Sequence, residues 1–228
     1  MTLRVFTSEP LAPATEIVLD REESHYLTRV RRAGVDDMLE VLDGAGSLAT
    51  ARLLDADPRR VRVLLTQVLV VPPAEPLELA LGLPEPSATL DAITHACEAG
   101  ATAISLVRCQ RSHAATPGAG RIEKVVRAAL RQCGCPRPPE IRGPVDLDAW
   151  LAERDNGVFA WPDVRSEVTP LPRLEHLDRR VLVGPEGGLT EDEGRRAAVS
   201  GLSPIGLGPW VLRTPTAVVA ALTRLRFG

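Results

Sequence analysis

The sequence predicts two folds in series, a small β-rich unit followed by an α/β unit built on a largely parallel sheet. Three observations predict them. Short apolar runs broken by turn signals occupy the chain up to Val71. A proline-rich stretch, Pro72-Pro73-Ala74-Glu75-Pro76, comes next. From Leu77 onward strand-like and helix-like segments alternate, the pattern of a parallel sheet with crossover helices.

In the first unit the apolar runs are Leu3 to Phe6, Glu16 to Leu19, Met38 to Leu42, Leu48 to Leu54 and Val61 to Val71. Asp43-Gly44-Ala45-Gly46 and Asp55-Ala56-Asp57-Pro58 supply the turns between them, and the Asp-Gly step predicts a hairpin. Only Glu22 to Val30 has a helical pattern. Short strands at this spacing predict a small barrel or sandwich over residues 1–72. The prolines then forbid both a helix and a central strand, so the domain boundary falls among them and a second domain spans 77–228.

In the second unit Leu77 to Leu83 is a strand, and Ser87 is placed to cap a helix whose face carries Leu90, Ile93 and Cys97. Gly100 closes that helix. Ala103 to Val107 is a strand, Arg121 to Cys133 and Asp146 to Arg154 are helices, and Gly157 to Trp161 and Arg180 to Val183 are strands.

The 228 residues are 44 % hydrophobic and 25 % charged, enough apolar material for a core. Aromatic residues are only 3 %, so that core is aliphatic. The net charge of -3 argues against a surface that is basic throughout, but local arginine clusters can still hold phosphates. Lys124 is the only lysine, and arginine is the better bidentate phosphate ligand. No apolar run reaches the roughly 20 residues that span a bilayer, and the N-terminus has no signal-peptide core, which predicts a cytoplasmic protein. The four cysteines (Cys97, Cys109, Cys133 and Cys135) are then expected as thiols. Cys133 and Cys135 are too close in sequence for a zinc knuckle, so no metal is expected.

Two segments carry chemistry. In Val181-Leu182-Val183-Gly184-Pro185-Glu186-Gly187-Gly188-Leu189-Thr190 a strand runs into a glycine-rich turn. Thr190 and Glu193 stand at capping-box spacing, so a helix begins there. Glycines allow a ligand to approach the backbone and allow positive φ. The segment lacks the glycine spacing of a dinucleotide fingerprint and the Gly-Lys-Ser/Thr of a P-loop. In Ile205-Gly206-Leu207-Gly208-Pro209-Trp210-Val211-Leu212-Arg213-Thr214-Pro215-Thr216-Ala217 another strand ends in glycines, and a last helix starts near Pro215. Ligands of such sheets sit beyond the carboxyl ends of the strands.

Together these segments resemble the 16S rRNA uracil-N3 methyltransferase family of the SPOUT superfamily. That family has a Gly-Pro-Glu-Gly-Gly loop, then Leu-Gly, then Leu-Arg-x-Glu-Thr-Ala. Here these are Gly184 to Gly188, Leu207-Gly208 and Leu212 to Ala217. His25-Tyr26-Leu27-Thr28-Arg29-Val30-Arg31-Arg32 looks like its N-terminal His-x-x-x-Val-Leu-Arg segment. Leu81-Gly82-Leu83-Pro84, the helix ending at Gly100, and Arg111-Ser112 stand in corresponding places.

The resemblance implies an N-terminal PUA-like β-barrel and a C-terminal α/β domain with a deep trefoil knot, paired as a homodimer. It implies S-adenosylmethionine as cofactor, 16S rRNA or the small ribosomal subunit as partner, and no membrane. It carries cofactor contact onto Leu83, Gly184, Pro185, Glu186, Gly187, Gly188, Leu207, Gly208, Leu212, Arg213 and Thr216. Arg213 is the candidate for stabilising negative charge on the uracil, and Glu186 is a candidate base that could equally only hold the loop. His25, Arg29, Arg31, Arg32 and Arg137 are the candidate RNA contacts, with Arg59, Arg60 and Arg62 as a second cluster.

The sequence departs from the family at Glu85, where a lysine is usual, at Pro215, where a glutamate is usual, and at Arg131 to Cys135. Two other readings therefore stay open: a SPOUT methyltransferase with another RNA target, and a catalytically weak RNA-binding or ribosome-assembly factor.

Overall fold

A computed structural model describes residues 2–153, 156–161 and 179–227. The chain divides into two compact units, Met1–Pro73 with Leu130–Pro138, and Ala74–Ala129 with Pro139–Gly228.

The first unit holds a five-stranded sheet in the order β1-β3-β4-β5-β2. Its strands are β1 (Leu3–Phe6), β2 (Glu16–Val18), β3 (Met38–Leu42), β4 (Ser47–Asp55) and β5 (Arg62–Val70). All pairs are antiparallel except β1 with β3. Every second residue of β4 and β5 points inward, so Ala49, Ala51, Leu53, Val63 and Leu65 form the core with Val5, Leu27 and Val41. Each buried Val or Leu side chain among these contributes about 2 kcal/mol. The expected hairpin forms at Asp43, whose Oδ1 accepts the N–H groups of Ala45, Gly46 and Ser47. Burial pushes the Asp43 pKa up, and these bonds outweigh it and hold the carboxyl below its usual value.

The expected helix over Glu22 to Val30 is α1 (Arg21–His25) continuing into a π-helical turn (Tyr26–Val30). Asp20 caps it by accepting the Glu23 N–H. Glu23 is fully buried, and the Arg131 guanidinium pairs with it while lying 4.4 Å from the centre of the Tyr26 ring. Arg131 therefore belongs to the first unit although it is distant in sequence.

The second unit is a six-stranded, wholly parallel sheet in the order β11-β9-β10-β6-β7-β8. The strands are β6 (Glu78–Gly82), β7 (Ala103–Arg108), β8 (Glu140–Asp146), β9 (Gly157–Ala160), β10 (Arg180–Val183) and β11 (Leu202–Ile205). Its helices are α2 (Pro86–Glu98), α3 (Ala119–Cys133, which belongs to this unit as far as Ala129), α4 (Leu147–Ala152), α5 (Glu191–Val199) and α6 (Thr214–Phe227). Strands β6 and β10 lie at the centre and are buried throughout. Ala80, Leu182 and Phe159 pack with Trp150, Leu151, Leu189 and Ala197, joining the sheet to α4 and α5.

Three details differ from the sequence reading. Glu85, not Ser87, is the N-cap of α2, because Pro86 takes the first turn where no amide donor is needed. Strand β8 was not expected, since Gly143 and Pro144 interrupt it; it survives as the edge strand, where proline is tolerated. The expected helix Asp146 to Arg154 is α4 as far as Ala152, and Arg154 lies outside the described residues. No described helix is long and apolar enough to cross a membrane.

Candidate functional site

The carboxyl ends of β9, β10 and β11 open onto a cleft of about 290 Å³. Strand β10 supplies Val183 and then the glycine-rich loop, Gly184 to Leu189. The loop ends where Thr190 caps α5. Thr190 accepts the Glu193 N–H at 3.2 Å, and Glu193 accepts the Thr190 N–H at 2.8 Å, so the expected capping box is present. Gly188 has φ +68°, in the left-handed region that favours glycine, and its N–H donates to Pro185 O at 2.8 Å. Gly187 is glycine for another reason. A Cβ there would stand 3.2 Å from the Arg111 side chain.

Strand β11 supplies the opposite part of the cleft through Leu207, Gly208, Trp210, Val211 and Leu212, and α6 adds Thr214 and Ala217. Thr214 is buried, and its hydroxyl donates to Gly184 O at 3.5 Å, which ties the two glycine segments together. Trp161 closes the side next to β9. Its ring meets Phe159 edge-on at 5.8 Å and leaves no room for a side chain at Gly194.

Eight of the expected cofactor contacts line this cleft: Gly184, Pro185, Glu186, Gly187, Gly188, Leu207, Gly208 and Leu212. Leu83, Arg213 and Thr216 do not. Leu83 is buried at the end of β6, where its carbonyl accepts the His113 N–H. Arg213 is exposed between two cleft residues, immediately before α6. Thr216 is exposed on the first turn of that helix. The sequence reading did not assign Trp161 or Trp210 to the site: Trp161 stands in no recognisable pattern, and Trp210 lies in the second glycine segment but between the positions that match the family. Among the described residues no three His, Cys, Asp or Glu side chains cluster so as to hold a metal ion.

Glu186 is exposed, and its Oε1 accepts the Glu85 N–H at 3.0 Å. Behind the loop, burial pushes the Cys109 thiol up to about 12, and the negative charge of Glu193 pushes in the same direction. That thiol is neutral at physiological pH and is no nucleophile.

In the first unit His25 and Arg29 line a second, open cleft of about 590 Å³ with Arg21, Glu22, Pro58 and Arg59. The fold thus brings one member of each expected arginine cluster together. Arg31 is half-buried and Arg32 exposed, and neither lines this cleft. Arg62 pairs with Glu16 and Asp55. The Arg137 guanidinium donates to Ala45 O and Val71 O, at 2.5 and 3.2 Å, and so ties the β3–β4 hairpin to the end of β5; it does not line the basic cleft.

Known proteins share both the sequence and the fold. The family described as RNA methyltransferase domain matches residues 72–226, and the one described as RNA methyltransferase PUA domain matches residues 19–66. A Ribosomal RNA small subunit methyltransferase E of Mycobacterium bovis is 30% identical over 90% of this chain and 84% of its own. One of Buchnera aphidicola is 26% identical over 98% of this chain and 92% of its own. A Legionella pneumophila protein described as a methyltransferase, solved in complex with the cofactor SAM, superimposes with a TM-score of 0.79 at 25% identity, covering 99% of this chain and 97% of that one. The fold also matches a Ribosomal RNA small subunit methyltransferase E of Neisseria gonorrhoeae, with a TM-score of 0.84 at 23% identity over 99% of this chain and 97% of that one.

Proposed function

Because the chain belongs to the family of RNA methyltransferases that carry a PUA domain, we propose that it transfers the methyl group of S-adenosylmethionine to N3 of a uridine in 16S rRNA. The observation that carries this reading is the single cleft formed where the two glycine segments meet, at Gly184–Gly188 and Leu207–Leu212. Its lining suits that cofactor. The glycine backbone offers polar groups on one side, and Trp161, Leu207, Trp210 and Leu212 offer apolar surface for a purine. The trefoil knot, the homodimer and a cytoplasmic location belong to the same reading.

When bound, the cofactor supplies an electrophilic methyl group on sulfur, so no metal is needed. The protein's part is to place uracil N3 in line with that methyl and to manage the N3 proton. Loss of the proton to solvent water leaves negative charge shared with the flanking carbonyl oxygens. Arg213, exposed between the cleft residues Leu212 and Thr214 and just before the positive end of α6, is the residue we assign to stabilising that charge. Glu186 anchors the loop through the Glu85 N–H rather than accepting the proton. In the first unit Arg21, His25, Arg29 and Arg59 contact RNA phosphates, which gives binding that weakens as salt rises.

The test is transfer of isotopically labelled methyl from S-adenosylmethionine to purified small ribosomal subunits. Label in 16S rRNA supports the reading. Cofactor binding without transfer would favour an assembly factor, and label confined to another RNA would favour a different target.

A further inference from the structure

The ends of three neighbouring strands, β10, β6 and β7, are joined by a circuit of hydrogen bonds. Glu186 Oε1 accepts the Glu85 N–H at 3.0 Å, linking the glycine loop to the end of β6. Leu83 O accepts the His113 N–H at 2.9 Å, linking the end of β6 to the loop after β7. That loop returns to the glycine loop through Arg111, whose guanidinium donates to Gly187 O at 2.6 Å. Beside it, Glu193 Oε1 accepts the Gln110 N–H at 2.6 Å, and Glu193 is only 1% exposed. The capping glutamate of α5 therefore also fixes the residue that precedes Arg111.

The Arg111 bond falls on one peptide unit. Gly187 O is taken by Arg111, and the N–H of the same peptide, on Gly188, is taken by Pro185 O at 2.8 Å. Both polar groups are committed, so the plane of this peptide is set before any ligand arrives. The Arg111 stem also lies against Gly187, where a Cβ would stand 3.2 to 3.3 Å from its Cδ and Cβ atoms. Gly187 and Gly188 line the cofactor cleft, and Arg111 does not.

We propose that Arg111 is a positioning residue for the cofactor. It orients the Gly187–Gly188 peptide and thereby presets the glycine loop in its binding geometry. The inference rests on reading the cleft as the S-adenosylmethionine site. A hydrogen bond from a charged donor is stronger than a neutral one, and a loop ordered in advance loses less freedom on binding. Arg111 thus acts on cofactor affinity, not on the methyl-transfer step.

Calorimetry of S-adenosylmethionine on the full chain tests this, with wild type, Arg111→Ala and Arg111→Lys. Arg111→Ala should raise Kd about fivefold or more. Arg111→Lys, which keeps a charged donor, should recover part of the loss. The melting temperature without cofactor and kcat at saturating cofactor should be unchanged, while KM for the cofactor rises. Amide exchange gives a second readout that needs no ligand. The Gly188 N–H should exchange faster in Arg111→Ala, while amides of α2 do not. Unchanged Kd in Arg111→Ala, or unchanged Gly188 exchange, would overturn the proposal and leave the cofactor site standing. Absence of binding by the wild type would overturn both.

Discussion

Glu186 accepts the backbone N–H of Glu85 at 3.0 Å. This one bond separates two roles for the side chain. An anchor needs an acceptor oxygen, whereas a general base needs an ionisable group. Glu186→Gln keeps an oxygen and removes the ionisation. We expect Glu186→Gln to keep turnover within a few-fold, with an unchanged pH profile, and Glu186→Ala to weaken cofactor binding. A loss of about a hundredfold or more in Glu186→Gln, the usual scale for removing an acid–base group, would make Glu186 the base.

The two central glycines of the loop fail differently when replaced. Gly187→Val sets a branched side chain against the Arg111 stem, which lies within 3.2 to 3.3 Å of the new Cβ. It should abolish measurable cofactor binding in calorimetry. Gly188→Ala meets open space but forces alanine to φ +68°, which costs about 1 kcal/mol. Its main effect should be a lower melting temperature, with binding retained. Full affinity in Gly187→Val would remove the loop from the site.

The four thiols should separate by reactivity. Cys97 and Cys109 are buried and Cys133 is exposed. Burial pushes Cys109 up to about 12, against an ordinary value of 9.0, so it carries no thiolate at pH 8. Alkylation of the folded chain at pH 8, read by mass spectrometry, should mark Cys133 first and spare Cys109. The same shift fixes a pH dependence. The unfolded thiol ionises near 9.0 while the folded one stays neutral to about 12, so folded stability falls as pH rises through that interval. Early labelling of Cys109 would contradict its burial.

In the first unit Arg131 faces fully buried Glu23. Removing one partner of a buried pair leaves the other charge uncompensated, at a cost of about 3 kcal/mol or more. Arg131→Ala should lower the urea midpoint accordingly. A shift equivalent to less than about 1 kcal/mol, the worth of an exposed pair, would show the contact to be superficial.

Much of the site is legible in the sequence because its signals are local. A buried strand, two glycines and the Thr190–Glu193 capping box lie within a short stretch, and each is read from spacing alone. Positive φ could be assigned to the pair of glycines, but only the structure places it at Gly188 and gives Gly187 the close approach instead. Trp161 reaches the cleft only through sheet order, which puts β9 between β11 and β10. Arg131 and Arg137 join the first unit from far along the chain, and nothing in their neighbourhood announces it. From sequence alone the apolar stretch Ala217 to Leu225 offers a surface for a partner. Val218, Ala221 and Leu222 are instead buried within the chain, where α6 packs on α2 and β10. A homodimer therefore rests on the family resemblance, not on that helix.

Methyl transfer to uracil N3, with Arg213 stabilising the developing charge, is the reaction proposed for the cleft. Nucleoside mass spectrometry of 16S rRNA, after the enzyme acts on unmodified small subunits, tests it most directly. The account predicts N3-methyluridine as the product. It also predicts that Arg213→Ala lowers the yield at saturating cofactor by about a hundredfold, the scale for losing one donor to a developing anion. A product methylated only on a ribose 2′-hydroxyl, or full yield from Arg213→Ala, would contradict it.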